Sequence, residues 1–149
     1  METRTVGELP SERRSRRRPG ENRERLLAAG ILEFSLHGYR GTSTTVIAAL
    51  AEVPQPHVYT NFRTKQELFL GCLARAAESL RGETFTPPHG VLAYDSEALA
   101  RLLLQAVSAL GEESLRAELE PQLHGLREAL GAAEFEALLL RGARSLLDG

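Results

Sequence analysis

Pro54 and Pro56 stand two residues apart at the head of PQPHVYTNF, a stretch whose apolar spacing is helical from Val58 onward. The first turn of a helix has N–H groups without intrahelical partners, so a proline there forfeits no bond and its fixed φ suits the first helical position. The residue before a proline is pushed out of the α region. Gln55 is therefore expected as the N-cap and Pro56 as the first residue of a helix over about 56–62, with Val58 and Phe62 turned inward at i, i+4 spacing. Gln55, His57, Thr60 and Asn61 then face outward, with Tyr59 at the edge. Such a helix is only about 10 Å long, and isolated helices below about 12 residues are marginal in water. It must lean on neighbours, and that need restricts the folds open to the chain.

The neighbours are legible on both sides. Leu27, Ile31 and Phe34, with Leu26 and Gly30 alongside, predict a first helix over roughly 21–37, and Gly38 offers a left-handed stop. The Thr42-Ser43 hydroxyls can cap a second helix near 43–50, whose Val46, Ile47 and Leu50 share one face. The connection Ala51-Glu52-Val53 has the length of a helix-turn-helix, with Val53 placed to fill the corner. A capping box, Thr64-Lys65-Gln66-Glu67, opens a fourth helix whose stripe Leu68, Phe69, Cys72, Leu73 and Ala76 runs to about Arg81. The amides and hydroxyls on the outer side of the short helix can read base edges or phosphates in a major groove about 12 Å wide, whereas a solvated face more often shows Glu and Lys. Lys65 lies in the first turn of its helix, where a cation opposes the helix dipole, and this points to an external anion such as a phosphate.

Residues 1–20 lack a hydrophobic period and carry Arg13, Arg14, Arg16, Arg17 and Arg18, a basic arm expected to be disordered and to touch phosphates or a minor groove. The Gly/Pro-rich run 82–95 reads as a loop. Beyond it come a helix near 96–110, a segment near 112–130 interrupted by Pro121, and a last helix near 133–147. Leu140 and Leu147 widen the last apolar stripe beyond one face, which argues for a partner surface.

Charge divides along the chain. Residues 1–81 hold 13 basic and 9 acidic side chains, and residues 82–149 hold 5 and 11. A polyanion is thus expected against the first half and repelled by the second. Cys72, the only cysteine, sits in an apolar run and reads as a small core residue, which excludes a disulfide framework within one chain. No run approaches the roughly 20 apolar residues that span a bilayer and no secretory apolar region is visible, so no membrane association and a cytoplasmic, nucleoid-associated location are expected. His37, His57, His89 and His124 lack metal-ligand spacing, and neither a phosphate loop nor a nucleophile elbow appears. An enzyme is not expected, and neither a cofactor nor a metal.

Gly38-Tyr39-x-Gly41-Thr42, Ile47-Ala48, the turn, Tyr59-x-x-Phe62 and Lys65, taken in order over about Arg25 to Leu73, resemble the tetracycline-repressor (TetR) family of bacterial transcription regulators. The resemblance implies an all-α fold: a three-helix helix-turn-helix DNA-binding domain over 21–66, joined by a long helix to a small C-terminal helical dimerisation and effector domain over 67–149. It implies DNA contacts from Thr44 and Thr45 and from Gln55, Pro56, His57, Tyr59 and Asn61, with Thr60 on the same face and Lys65 on a phosphate. It also implies a homodimer on a pseudo-palindromic double-stranded operator, acting as a repressor and released by a small apolar effector. The second domain is short for the family. Glu52 stands where the family usually has Gly, and Pro54 where it usually has Ser or Thr. A second reading stays open, a truncated, non-enzymatic module that dimerises with a full-length regulator and binds DNA poorly itself.

Overall fold

The computed structural model describes residues 17–83 and 85–149. These form seven α-helices and no strand: α1 (Glu21–His37), α2 (Thr44–Ala51), α3 (Gln55–Asn61), α4 (Lys65–Leu80), α5 (Ser96–Ser108), α6 (Glu113–Leu130) and α7 (Ala132–Asp148), with a 3₁₀ turn at Ala109–Gly111. The all-α reading holds, and one apolar cluster runs from Leu26 to Leu138 through both halves of the chain.

α1 is the hub. Its buried Leu26, Leu27, Ile31 and Phe34 meet α2, α3, α4 and α5. An aromatic knot closes the far end of α1: the Phe34 and Phe69 rings cross edge to face at 4.9 Å, and Tyr39 meets Phe69 at 5.2 Å. Gly38 ends α1 at φ 77°, where its N–H donates to the Phe34 carbonyl. A side chain there would also meet Gln105 of α5, so this stop favours glycine twice over.

The helix-turn-helix differs from its sequence-based expectation in two details. α3 begins at Gln55, not Pro56, and the residue before it, Pro54, is the N-cap at φ −58°, ψ 140°. Gln55 accepts a helical conformation ahead of Pro56 because the His57 N–H already donates to the Pro54 carbonyl at 2.9 Å, closing the first turn one residue early. On α2 the inward face is Ile47, Ala48 and Ala51, while Val46 is 49% and Leu50 38% exposed. Close approach to α1 admits the small Ala48 and Ala51 beside the one large inward side chain, Ile47, and leaves Val46 and Leu50 turned outward. Val58 and Phe62 are buried as expected, and each such burial is worth about 1.5–3 kcal/mol, enough to hold a two-turn helix that propensity alone cannot.

In the C-terminal half α5 lies between α1 and α7. Asp95 caps α5 by accepting from the Ala98 N–H at 2.9 Å. A Cβ on Gly142 would run into the Ala100 carbonyl, so glycine lets α7 approach α5 backbone to backbone, and Arg101 of α5 donates to Ser145 Oγ at 2.7 Å. Pro121 does not interrupt its helix. α6 is continuous from Glu113 to Leu130, because Pro121 and Ala117, whose carbonyl loses its donor, are both exposed and water can serve that carbonyl.

Candidate functional site

The outward face of α2 and α3 collects the residues singled out from the sequence. The Ser43 side chain caps α2 by accepting from the Thr45 N–H at 3.1 Å, which leaves Thr44 half-buried and Thr45 exposed at the outer end of the helix. Tyr59, 50% exposed on α3, reaches back so that its hydroxyl lies 3.4 Å from Thr44 Oγ1. These two hydroxyls make one polar ridge from two helices. His57 and Thr60 are exposed, Pro56 is exposed in the first turn, and Gln55 and Asn61 are half-buried.

Two of these side chains are engaged with their own helix. Asn61 Nδ2 donates to the His57 carbonyl at 2.8 Å, and the Thr60 hydroxyl donates to the Pro56 carbonyl at 3.3 Å. Asn61 keeps its amide oxygen as an acceptor, and Thr60 keeps its hydroxyl lone pairs. His57 Nδ1 lies 3.5 Å from Asn22 Nδ2 in the first turn of α1, and Asn22 Oδ1 in turn accepts from Arg17 at 2.7 Å. A chain of contacts thus runs from the basic arm through α1 to α3. Arg17 and Arg18 line a groove of about 950 Å³ with Asn22, Glu52, His57 and Asn61. Arg13, Arg14 and Arg16 lie outside the described residues.

Lys65, at the start of α4, is half-buried, and its ammonium rests 4.7 Å above the Tyr39 ring. Burial lowers its pKa, with Glu112 acting against that fall and Arg40 adding to it. Among the described residues α3 carries no acidic side chain, and Glu52, in the wall of the groove, is the one carboxylate at the turn between α2 and α3.

Asn22, Arg40 and Glu112 were not readable as members of this neighbourhood. Asn22 reaches His57 across 35 residues and Glu112 reaches Arg40 across 72, and no local spacing announces either contact.

Residues 26–72, which run from within α1 to the middle of α4, match the model of a family described as bacterial regulatory proteins, tetR family. This segment is a TetR-family N-terminal domain. The TetR-type domain contains the whole helix-turn-helix just described, and a chain that carries it is a DNA-binding transcription regulator; the family comprises regulators, not enzymes. No curated protein and no solved structure matches the chain. Among the described residues no helix is long and apolar enough to cross a membrane, and no group of three or more His, Cys, Asp or Glu is placed to hold a metal ion.

Proposed function

We propose that the protein is a one-component repressor that binds a pseudo-palindromic operator as a homodimer, one α3 per half-site, and leaves it when a small apolar ligand binds. The observation that carries this reading is the outer face of α3. It is a two-turn helix, about 10 Å long, without an acidic side chain and edged by the Thr44–Tyr59 hydroxyl ridge, a size and chemistry that suit a major groove. Lys65, Tyr59, Thr44 and the arm residues Arg13, Arg14, Arg16, Arg17 and Arg18 contact phosphates and set the register. Gln55, His57, Thr45 and Asn61, with Pro56 and Thr60 packed beside them, discriminate bases or local shape.

The dimer reading is supported by α7, where Leu140 is 54% and Leu147 84% exposed on a helix that otherwise covers α5. The acidic balance of residues 82–149 suits an effector and dimerisation half, 67–149, that faces away from DNA, with 21–66 as the DNA-binding unit. The ligand reading is supported by a cavity of about 380 Å³ between α1, α4 and the 85–94 loop, lined by Leu27, Phe85, Val91, Leu92 and Tyr94 beside Arg75, within the size range of small-molecule sites. A nucleoid location follows from operator binding. Glu52, on the groove wall, favours the second reading, a partner module with weak DNA affinity of its own. The two are separated by the particle mass in solution together with binding to the DNA upstream of the coding sequence and to an unrelated duplex. A dimer selective for the upstream DNA supports the repressor; equal weak binding to both duplexes supports the module.

A further inference from the structure

Arg40 stands in the turn between α1 and α2, beside Tyr39, whose ring carries the Lys65 ammonium. Its guanidinium is nearly fully exposed, yet both of its nitrogens on one edge are taken. Nε and Nη2 donate to the two carboxylate oxygens of Glu112, which precedes α6. The Glu112 backbone carbonyl starts α6 by accepting from the Leu115 and Arg116 N–H groups, but its side chain makes no cap and points to Arg40 instead. One residue into α4, Gln66 Nε2 donates to the Ser114 carbonyl at 2.6 Å. The start of α6 is thus seated on the turn and on α4 at two points, and Glu112 acts electrostatically on Tyr39, Arg40 and Lys65 together.

A guanidinium edge presents two parallel donors that match a phosphate as well as a carboxylate. Glu112 is therefore the chain's own anion on a fork that lies next to the lysine read as a phosphate ligand. We propose that Arg40 is a second phosphate-binding cation beside Lys65, and that Glu112 competes with DNA for it, so that the seating of α6 on the turn sets DNA affinity. This rests on the reading of Lys65 as a phosphate contact. An exposed ion pair is weak, so a polyanion can displace it. Once a phosphate is seated, the Glu112 carboxylate beside it is repelled, and α6 loses that anchor. By linkage, whatever holds Glu112 on Arg40 weakens DNA binding, and whatever draws the start of α6 away strengthens it. The C-terminal half thereby gains a handle on the DNA-binding half.

The test is a salt titration of the full chain on a mixed-sequence duplex, comparing wild type with Glu112→Gln, Arg40→Gln, Lys65→Ala and, as a control of equal charge change, the adjacent Glu113→Gln. Glu112→Gln is expected to tighten binding about fivefold, the scale of one exposed ion pair, and Glu113→Gln less than half as much. Arg40→Gln should weaken binding and lower the slope of log K against log salt by about one. Hydrogen exchange at the Leu115 and Arg116 amides should quicken in wild type when the duplex is saturating. Equal effects of Glu112→Gln and Glu113→Gln, or an unchanged slope for Arg40→Gln, with Lys65→Ala still weakening the complex, overturn this inference alone. An unchanged slope for Lys65→Ala overturns the phosphate reading beneath it.

Discussion

Glu52 holds φ 57°, ψ 44°, the only positive φ on a residue other than glycine among those described. A Cβ in that region costs roughly 1–2 kcal/mol, and the carboxylate also faces the groove beside the arm. Glu52→Gly should stabilise the fold by about 1 kcal/mol, after the extra freedom of glycine in the unfolded chain is set against the relieved strain, as read by urea unfolding. It should tighten DNA binding as well. The need for a left-handed residue at this turn was visible from the family pattern; that Glu itself adopts it was not, because the αL cap is enforced by the Glu52 and Val53 N–H groups donating to the Ala49 and Ala48 carbonyls. Cys72 was readable as core and is fully buried, with its Sγ against Gly30 and burial pushing its thiol pKa strongly upward. A raised thiol pKa lends stability that is intact below the unfolded thiol's ordinary value of about 8.5 and is lost as pH rises above it. Native protein at neutral pH should therefore leave a chromogenic disulfide reagent unreacted until it unfolds. Prompt stoichiometric reaction would contradict the burial.

The helices owe their positions to packing that spacing reveals only in part. Six of the seven, and the inward turn of Val58 and Phe62, followed from apolar period together with the capping box and the paired prolines, while α6 was expected to break at Pro121. The face of α2 did not, since hydrophobicity ranks Val46 and Leu50 above Ala48 and Ala51, whereas close approach to α1 reverses that order. Pro121 misled in the same way, because the cost of a proline inside a helix depends on whether the orphaned carbonyl meets solvent. With that carbonyl hydrated the proline still forfeits a backbone bond, and Pro121→Ala should raise stability by about 1–3 kcal/mol. Gly142→Ala should do the opposite: a methyl against the Ala100 carbonyl forces α7 off α5 and costs about 1–3 kcal/mol. Thermal unfolding of both variants checks the pair, and a neutral Gly142→Ala would mean that α7 sits more loosely on α5 than the backbone contact implies.

For the whole molecule, on the reading proposed above the divided charge turns the basic first half toward the operator and the acidic second half away from it, except for the start of α6 beside Arg40. If α7 forms the partner surface, Leu140→Glu with Leu147→Glu should halve the particle mass seen by light scattering while leaving the helical signal intact, and should reduce operator affinity because two half-sites are no longer bound together. The C-terminal half was the least legible part of the site, since the cavity beneath the 85–94 loop and the Glu112 contact both join residues distant in sequence. The central claim is that this chain recognises a specific DNA site through α3 and grips phosphates with Lys65. The most direct measurement is binding of the purified protein to the DNA upstream of its coding sequence, at two salt concentrations, against an unrelated duplex. The account predicts tight, selective binding to the upstream DNA that weakens steeply with salt; weak binding, equal on both duplexes, would contradict it.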